Sequence, residues 1–195
     1  MNVFLYAKYT ENIETFDPVI CLFQNTEAAV TVTVEGRRMF RELDQIMHDM
    51  EEDDVAVIGS LSSLGITDAD IANRLNWFCK SGKMLVICDY ASTYEYGIKQ
   101  PTNQAVLETI LQSLLKQNNN ILEISGSRRS PSGRSRISFP NCWEELYLQW
   151  EKGEISSSQF LKQTGLKKAT FYNLITEYKT LKASRQEYQK RFRMG

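Results

Sequence analysis

Val55-Ala56-Val57-Ile58-Gly59 decides the fold class. Its first four residues are a continuous apolar run of strand length, the pattern of a strand buried on both faces of a parallel sheet. Met84-Leu85-Val86-Ile87-Cys88 repeats the pattern 29 positions further on. Residues 60–67 read as a loop. Residues 68–81 then place Ile71, Leu75 and Phe78 on one helical face, with Gly82 as a C-terminal stop. Strands alternating with helices predict an α/β domain with a mainly parallel sheet.

Working toward the N-terminus, Ala29-Val30-Thr31-Val32-Thr33-Val34 alternates with period two and ends at Gly36, and residues 3–7 are a short run of β-formers. Both read as strands. Residues 37–51 carry Phe40, Leu43, Ile46, Met47 and Met50 at helical spacing. Glu51-Glu52-Asp53-Asp54 closes that helix as a solvated polar turn, with a metal site as the alternative. Toward the C-terminus, Pro101-Thr102 opens a long helix whose Val106, Leu107, Ile110, Leu111, Leu114 and Leu115 form an apolar stripe. The stripe by itself is equally compatible with packing on its own domain and with pairing to a second copy. Asn118-Asn119-Asn120 weakens the helix and Ser125-Gly126 ends it.

Charge divides the chain. Residues 1–125 hold 9 Lys and Arg against 18 Asp and Glu, whereas residues 126–195 hold 14 against 6, a split that the overall net of −1 conceals. Residues 125–138 form a Ser/Gly/Arg/Pro linker containing Arg128, Arg129, Arg134 and Arg136. It reads as a flexible tether or as a basic arm along a DNA minor groove, and its basic neighbours favour the arm. From Pro140 onward three short helices follow. Residues 141–152 present Trp143, Leu146, Tyr147 and Trp150, and Gly153 stops them. Ser156 and Gln159 make a capping box for the second helix, in which Phe160 and Leu161 face inward. Thr164-Gly165-Leu166 is a tight turn, and the third helix runs from Lys167 to Tyr178 with Phe171, Leu174, Ile175 and Tyr178 inward. Helix, glycine-containing turn, helix is the spacing of a DNA-binding helix-turn-helix. Lys167, Lys168, Thr170, Tyr172 and Asn173 would then enter the major groove, where lysine reaches guanine or phosphate and asparagine pairs with adenine. The expected partner is double-stranded DNA, and residues 179–195 form a basic tail.

Taken together, these pieces resemble the serine recombinase (resolvase/invertase) family over residues 1 to about 178, in the family's order. Tyr6-Ala7-Lys8-Tyr9-Thr10 is similar to the Y-A-R-x-S opening. Arg38-Met39-Phe40, leading through a helix to Asp54-Val55-Ala56-Val57-Ile58, is similar to R-P-x-F…D-V-V-I-V. Leu61-Ser62-Ser63-Leu64-Gly65-Ile66 is similar to L-S-R-L-G-R. Residues 143–174 resemble the small C-terminal domain, including Gly153-Glu154-Ile155-Ser156, Gly165 and Thr170-Phe171-Tyr172. The resemblance implies a resolvase-like α/β domain (residues 1–101), a long dimerisation helix (102–124), the linker, and a helix-turn-helix domain (139–178). It also implies a homodimer on a two-fold DNA site.

In that family a serine attacks the scissile phosphate, and arginines stabilise the transition state. By the resemblance Thr10 stands at the nucleophile, Lys8 at the neighbouring arginine, and Arg38 is the one matched arginine. Ser63 and Ile66 replace two others, and Glu14 stands where a glutamine is expected. Threonine is β-branched and stiff, and lysine lacks the bidentate fork. Each lost oriented charge contact costs roughly 3–4 kcal/mol of barrier. The expectation is a catalytically impaired DNA-binding protein acting as an accessory or regulatory factor, for instance on a mobile element. Two alternatives stand beside it: an active divergent recombinase using Thr10, and a subunit that pairs with an active recombinase and modulates it. No cofactor is implied, because such transesterification conserves bond energy and neither a P-loop nor a metal constellation is evident.

The remaining chemistry-bearing residues read as structural. Cys21, Cys79, Cys88 and Cys142 form no C-x-x-C pair and read as small core hydrophobes. His48, the sole histidine, reads as a boundary residue beside its helix's stripe, which argues against a Ser-His-Asp triad. The N-terminus lacks the pattern of a signal peptide. No run approaches the roughly 18 apolar residues of a membrane span. A cytoplasmic protein, nucleoid-associated when on DNA, is therefore expected.

Overall fold

A computed structural model describes residues 1–23, 28–124 and 139–192. The described residues fall into two compact units: residues 1–124 together with 184–192, and residues 139–183.

The first unit is built on a four-stranded sheet of β1 (Asn2–Lys8), β2 (Ala29–Glu35), β3 (Val55–Ile58) and β4 (Met84–Ile87). The order is β2-β1-β3-β4 and every pairing is parallel. β3 and β4 are buried at every position, which is why they read as unbroken apolar runs. β2 lies at the sheet edge with several exposed positions, which explains its alternation. The helices of this unit are α1 (Asp17–Ile20), α2 (Arg41–Asp49), α3 (Asp68–Ser81) and α4 (Gln100–Ile124). The loop expected at residues 60–67 contains a 3-10 turn, Leu61–Ser63.

One core joins Tyr6, Ala56, Ile58, Leu85 and Ile87 of the sheet to Leu43 and Ile46 of α2, Leu75 and Phe78 of α3, and Leu107 and Ile110 of α4. Val106, Leu111 and Leu114 pack against the same core. The α4 stripe is therefore covered by its own unit as far as Leu114, whereas Leu115 is 48% exposed. Asn103 closes the free edge of β4. Its Oδ1 accepts from the Leu85 N–H (3.1 Å) and its Nδ2 donates to the Leu85 carbonyl (2.8 Å), imitating a neighbouring strand.

The acidic run after α2 divides in two. Glu51, Glu52 and Asp53 are exposed as expected, but Asp54 is buried and accepts hydrogen bonds from the backbone N–H groups of Asn2 (2.6 Å) and Glu51 (2.9 Å). The expectation of four core cysteines is corrected. Cys21 and Cys142 are exposed, because one follows the last residue of α1 and the other caps the first helix of the second unit; Cys79 and Cys88 are half-buried. The His48 side chain is 84% exposed.

The second unit consists of α5 (Trp143–Glu151), α6 (Ser157–Thr164) and the first part of α7 (Lys168–Phe192). An aromatic core holds it, with Trp143 against Phe160 (5.1 Å between ring centroids) and Phe160 against Phe171 (4.9 Å). Leu146, Tyr147, Leu174 and Ile175 complete the core. The Ser156–Gln159 capping box forms as the sequence predicts. Gly165 ends α6 with φ +67°, a left-handed conformation in which a side chain is strained. α7 runs 14 residues past the expected end at Tyr178. Among the described residues no helix is long and apolar enough to cross a membrane.

Candidate functional site

Ligands of open parallel sheets bind outside the carboxyl ends of the strands, where the strand order reverses. Here that place lies beyond Lys8 of β1 and Ile58 of β3, since β1 sends its chain to β2 on one side and is flanked by β3 on the other. Gly59 permits a close approach there. A Cβ on it would meet Oε1 of Glu11 at 2.8 Å and the ring of Phe16 at 3.3 Å.

Lys8 and Glu35 end their strands directly opposite one another. Both side chains are buried and form an ion pair at 3.6 Å. The Tyr6 hydroxyl donates to Glu35 Oε2 (2.6 Å), and the Glu42 N–H donates to Oε1 (3.1 Å). The Lys8 ammonium also donates to the Tyr6 hydroxyl and the Met39 carbonyl, and it lies 3.7 Å from the Phe40 ring centroid. Burial pushes the Lys8 pKa down to about 8 against the pull of Glu35 and Glu11. Burial, then Glu35, pushes the Tyr6 phenol well above its ordinary range.

Glu11 forms the second half of the site. Its Oε2 accepts from the Lys8 N–H (2.6 Å) and its Oε1 from the Ser63 hydroxyl. Burial raises its pKa, and these two hydrogen bonds hold it back. Ser63 thus meets this carboxylate as a neutral donor. Cys88 follows β4, and burial, then Glu11 and Asp89, pushes its thiol up to about 12.

The sequence-derived candidates differ in exposure. Thr10 is exposed beyond the end of β1, Lys8 is enclosed on the α2–α4 face of the sheet, and Arg38 is exposed with no hydrogen bond or ion pair among the described residues. Glu14 is exposed, its N–H bonded to Asn12. Sequence reasoning missed Tyr6, Glu11 and Glu35. A signal for Glu35 existed: a carboxylate that ends a β-branched strand needs a partner if the strand lies in a parallel sheet.

The second candidate surface belongs to the helical unit. α6 and α7 are separated by three residues, Gly165, Leu166 and Lys167. Lys167, Lys168, Tyr172 and Asn173 are exposed and Thr170 is half-buried, while Phe171, Leu174 and Ile175 point into the core. The expected contact residues thus surround the start of α7 on the sides away from its core face, with Lys168 and Tyr172 one turn apart. Arg128, Arg129, Arg134 and Arg136 lie outside the described residues. A scan against protein-family models finds no match to this chain, and a search of curated proteins finds none.

Proposed function

We propose that the chain is a DNA-binding protein related to the serine recombinases, catalytically impaired and acting as an accessory or regulatory factor. The observation that carries the reading is the outward set Lys167, Lys168, Tyr172 and Asn173 at the start of a helix that follows a three-residue turn. The core beneath it is made of Trp143, Phe160, Phe171, Leu174 and Ile175, and the side chains of Lys167, Lys168 and Asn173 make no hydrogen bond or ion pair among the described residues. Lys8 supports the impairment. A cation enclosed by Glu35, Tyr6 and Phe40 is unavailable to a phosphate, and phosphoryl transfer depends above all on cations positioned at the phosphate oxygens. A homodimer through residues 102–124 fits the exposed Leu115 and is part of the proposal.

The test is a gel shift on sites recovered by genome-wide crosslinking of the protein. Binding that weakens linearly in log-log salt and falls at least about tenfold with Lys168→Ala plus Asn173→Ala is expected. Unchanged binding by that double variant rejects the assigned face.

One observation favours a second reading, strand exchange through Thr10: its hydroxyl is exposed at the carboxyl end of β1. That reading requires a covalent protein–DNA adduct on a nicked substrate, lost in Thr10→Ala. Absence of an adduct on bound DNA rejects it.

A further inference from the structure

The last nine described residues of α7, 184–192, belong to the α/β unit. Tyr188 and Phe192, one helical turn apart, are 1% and 3% exposed. Both rings meet the buried Phe16 edge-on, at 5.7 and 6.3 Å between centroids. Three polar contacts surround them. Arg185 Nε donates to the Val34 carbonyl at the end of β2 (2.9 Å), Tyr188 Oη donates to the Glu11 carbonyl beyond β1 (3.2 Å), and Arg191 pairs with Asp17 at the start of α1 (Nε to Oδ1, 2.9 Å). Gln186, Glu187, Gln189 and Lys190 face outward. The segment is thus an amphipathic helix end laid across the carboxyl ends of β1 and β2.

We propose that residues 184–192 are a self-closing latch, an internal ligand that fills the carboxyl-end crevice of the sheet and fixes the backbone of Glu11 beside Thr10. Three features make the closure reversible. The contact is one helical turn of apolar surface. Its ion pair, a fork in which Arg191 Nε and Nη2 meet the two Asp17 carboxylate oxygens, is exposed, at 41% for Arg191 and 39% for Asp17, so salt screens it. The segment presents its cations to a unit whose net charge is strongly negative, an attraction that salt weakens. Short, few-contact segments of this kind open at the low end of the stability range. The latch acts within one chain and does not depend on the DNA reading above.

Cys88 reports on the latch. It follows β4 at the carboxyl end of the same sheet, it is half-buried, and its thiol is raised by that burial and by Glu11. Opening the crevice therefore increases both its exposure and its thiolate fraction. The experiment uses the full-length chain with Cys21, Cys79 and Cys142 replaced by serine, and measures the rate of Cys88 modification by an aromatic disulfide reagent. Tyr188→Ala with Phe192→Ala is expected to raise the rate at least about tenfold. Asp17→Arg, which changes only an exposed pair and leaves the core intact, is expected to raise it a few-fold, and adding Arg191→Asp to restore it. A rate unchanged by Asp17→Arg, or raised by it and not restored by Arg191→Asp, overturns the latch. Protection that rises with protein concentration also overturns it, since the segment would then be closing a second copy.

Discussion

Lys8→Met removes a buried ammonium and leaves its partner behind. Glu35 is 1% exposed at its side chain and keeps two donors, the Tyr6 hydroxyl at 2.6 Å and the Glu42 N–H at 3.1 Å, but loses its only cation within 4 Å among the described residues. Stripping one member from a buried pair costs up to about 3–5 kcal/mol, less the desolvation of the ammonium that the variant no longer bears. The exposed pair Lys182–Glu151, at 44% and 45%, sets the contrast, because pairs of that kind contribute about 0.2–1 kcal/mol. Methionine retains the packing beside Phe40, so the loss measures charge rather than volume. Adding Glu35→Gln removes the stranded charge and is expected to return about half of the loss. The assay is urea unfolding read by amide hydrogen exchange at β1 and β3, which isolates the α/β unit.

The same variant carries a pH signature. The folded-state pKa of Lys8 is about 8 against an ordinary value near 10.5. Between these values the unfolded chain binds more protons, so this group makes stability rise with pH from about 8 toward 10. Tyr6 opposes the rise only above its ordinary value of 10.0, because its pKa is raised on folding. In Lys8→Met the rise between pH 8 and 10 disappears. A loss under about 1 kcal/mol at pH 7 together with an unchanged slope refutes the argument that Lys8 is committed to the fold and withheld from phosphate.

Three further outcomes are expected. Asn103→Ala leaves the Leu85 N–H and carbonyl unpaired at the edge of β4 and lowers the stability of the α/β unit by about 2–4 kcal/mol in the same unfolding assay; a change under about 0.5 kcal/mol would show that water replaces the amide without cost. Ser156→Ala removes the acceptor for the Gln159 N–H and costs the helical unit about 1 kcal/mol by thermal melting, with Ser156→Gly intermediate. Glu11 has a raised folded pKa, so its contribution is complete below its ordinary value of 4.5 and is lost as pH climbs through the folded value; Glu11→Gln should therefore flatten the fall in urea midpoint above pH 4.5, and a parallel pH profile in the variant contradicts the assignment.

The elements most legible in the sequence were those in which one physical demand acts alone. β3 and β4 are buried on both faces, so nothing interrupts their apolar runs. Gly82 and Gly165 were readable as helix ends because a left-handed turn excludes side chains, and both adopt positive φ. The α4 stripe announced burial but not its partner, since a helix face is equally apolar against a sheet and against a second copy. The site was less legible because it depends on register. Lys8 and Glu35 are 27 residues apart and meet only because β1 and β2 pair in parallel with these two residues opposite. The docked end of α7 was hidden differently: Tyr188 and Phe192 sit in a polar, basic run, and two buried rings in such a run are visible only as an i, i+4 pair without a stripe.

Polar groups at the carboxyl ends of this sheet are satisfied from within. Lys8 answers Glu35, Ser63 answers Glu11, Tyr188 answers the Glu11 carbonyl and Arg185 the Val34 carbonyl. A crevice that holds a phosphodiester leaves donors and cations pointing outward without partners, because the ligand is meant to complete them. Here the donors close on the chain's own carboxylates and carbonyls. Of Lys8, Thr10 and Arg38 only Arg38 keeps an exposed positive charge, in a unit dominated by acidic residues. In the helical unit, Lys167 in the turn and Lys168, Tyr172 and Asn173 at the start of α7 are exposed with no side-chain hydrogen bond or ion pair among the described residues. The exposed donors at the start of α7 and the internally satisfied ones at the sheet are what the proposed reading, recognition without bond chemistry, rests on.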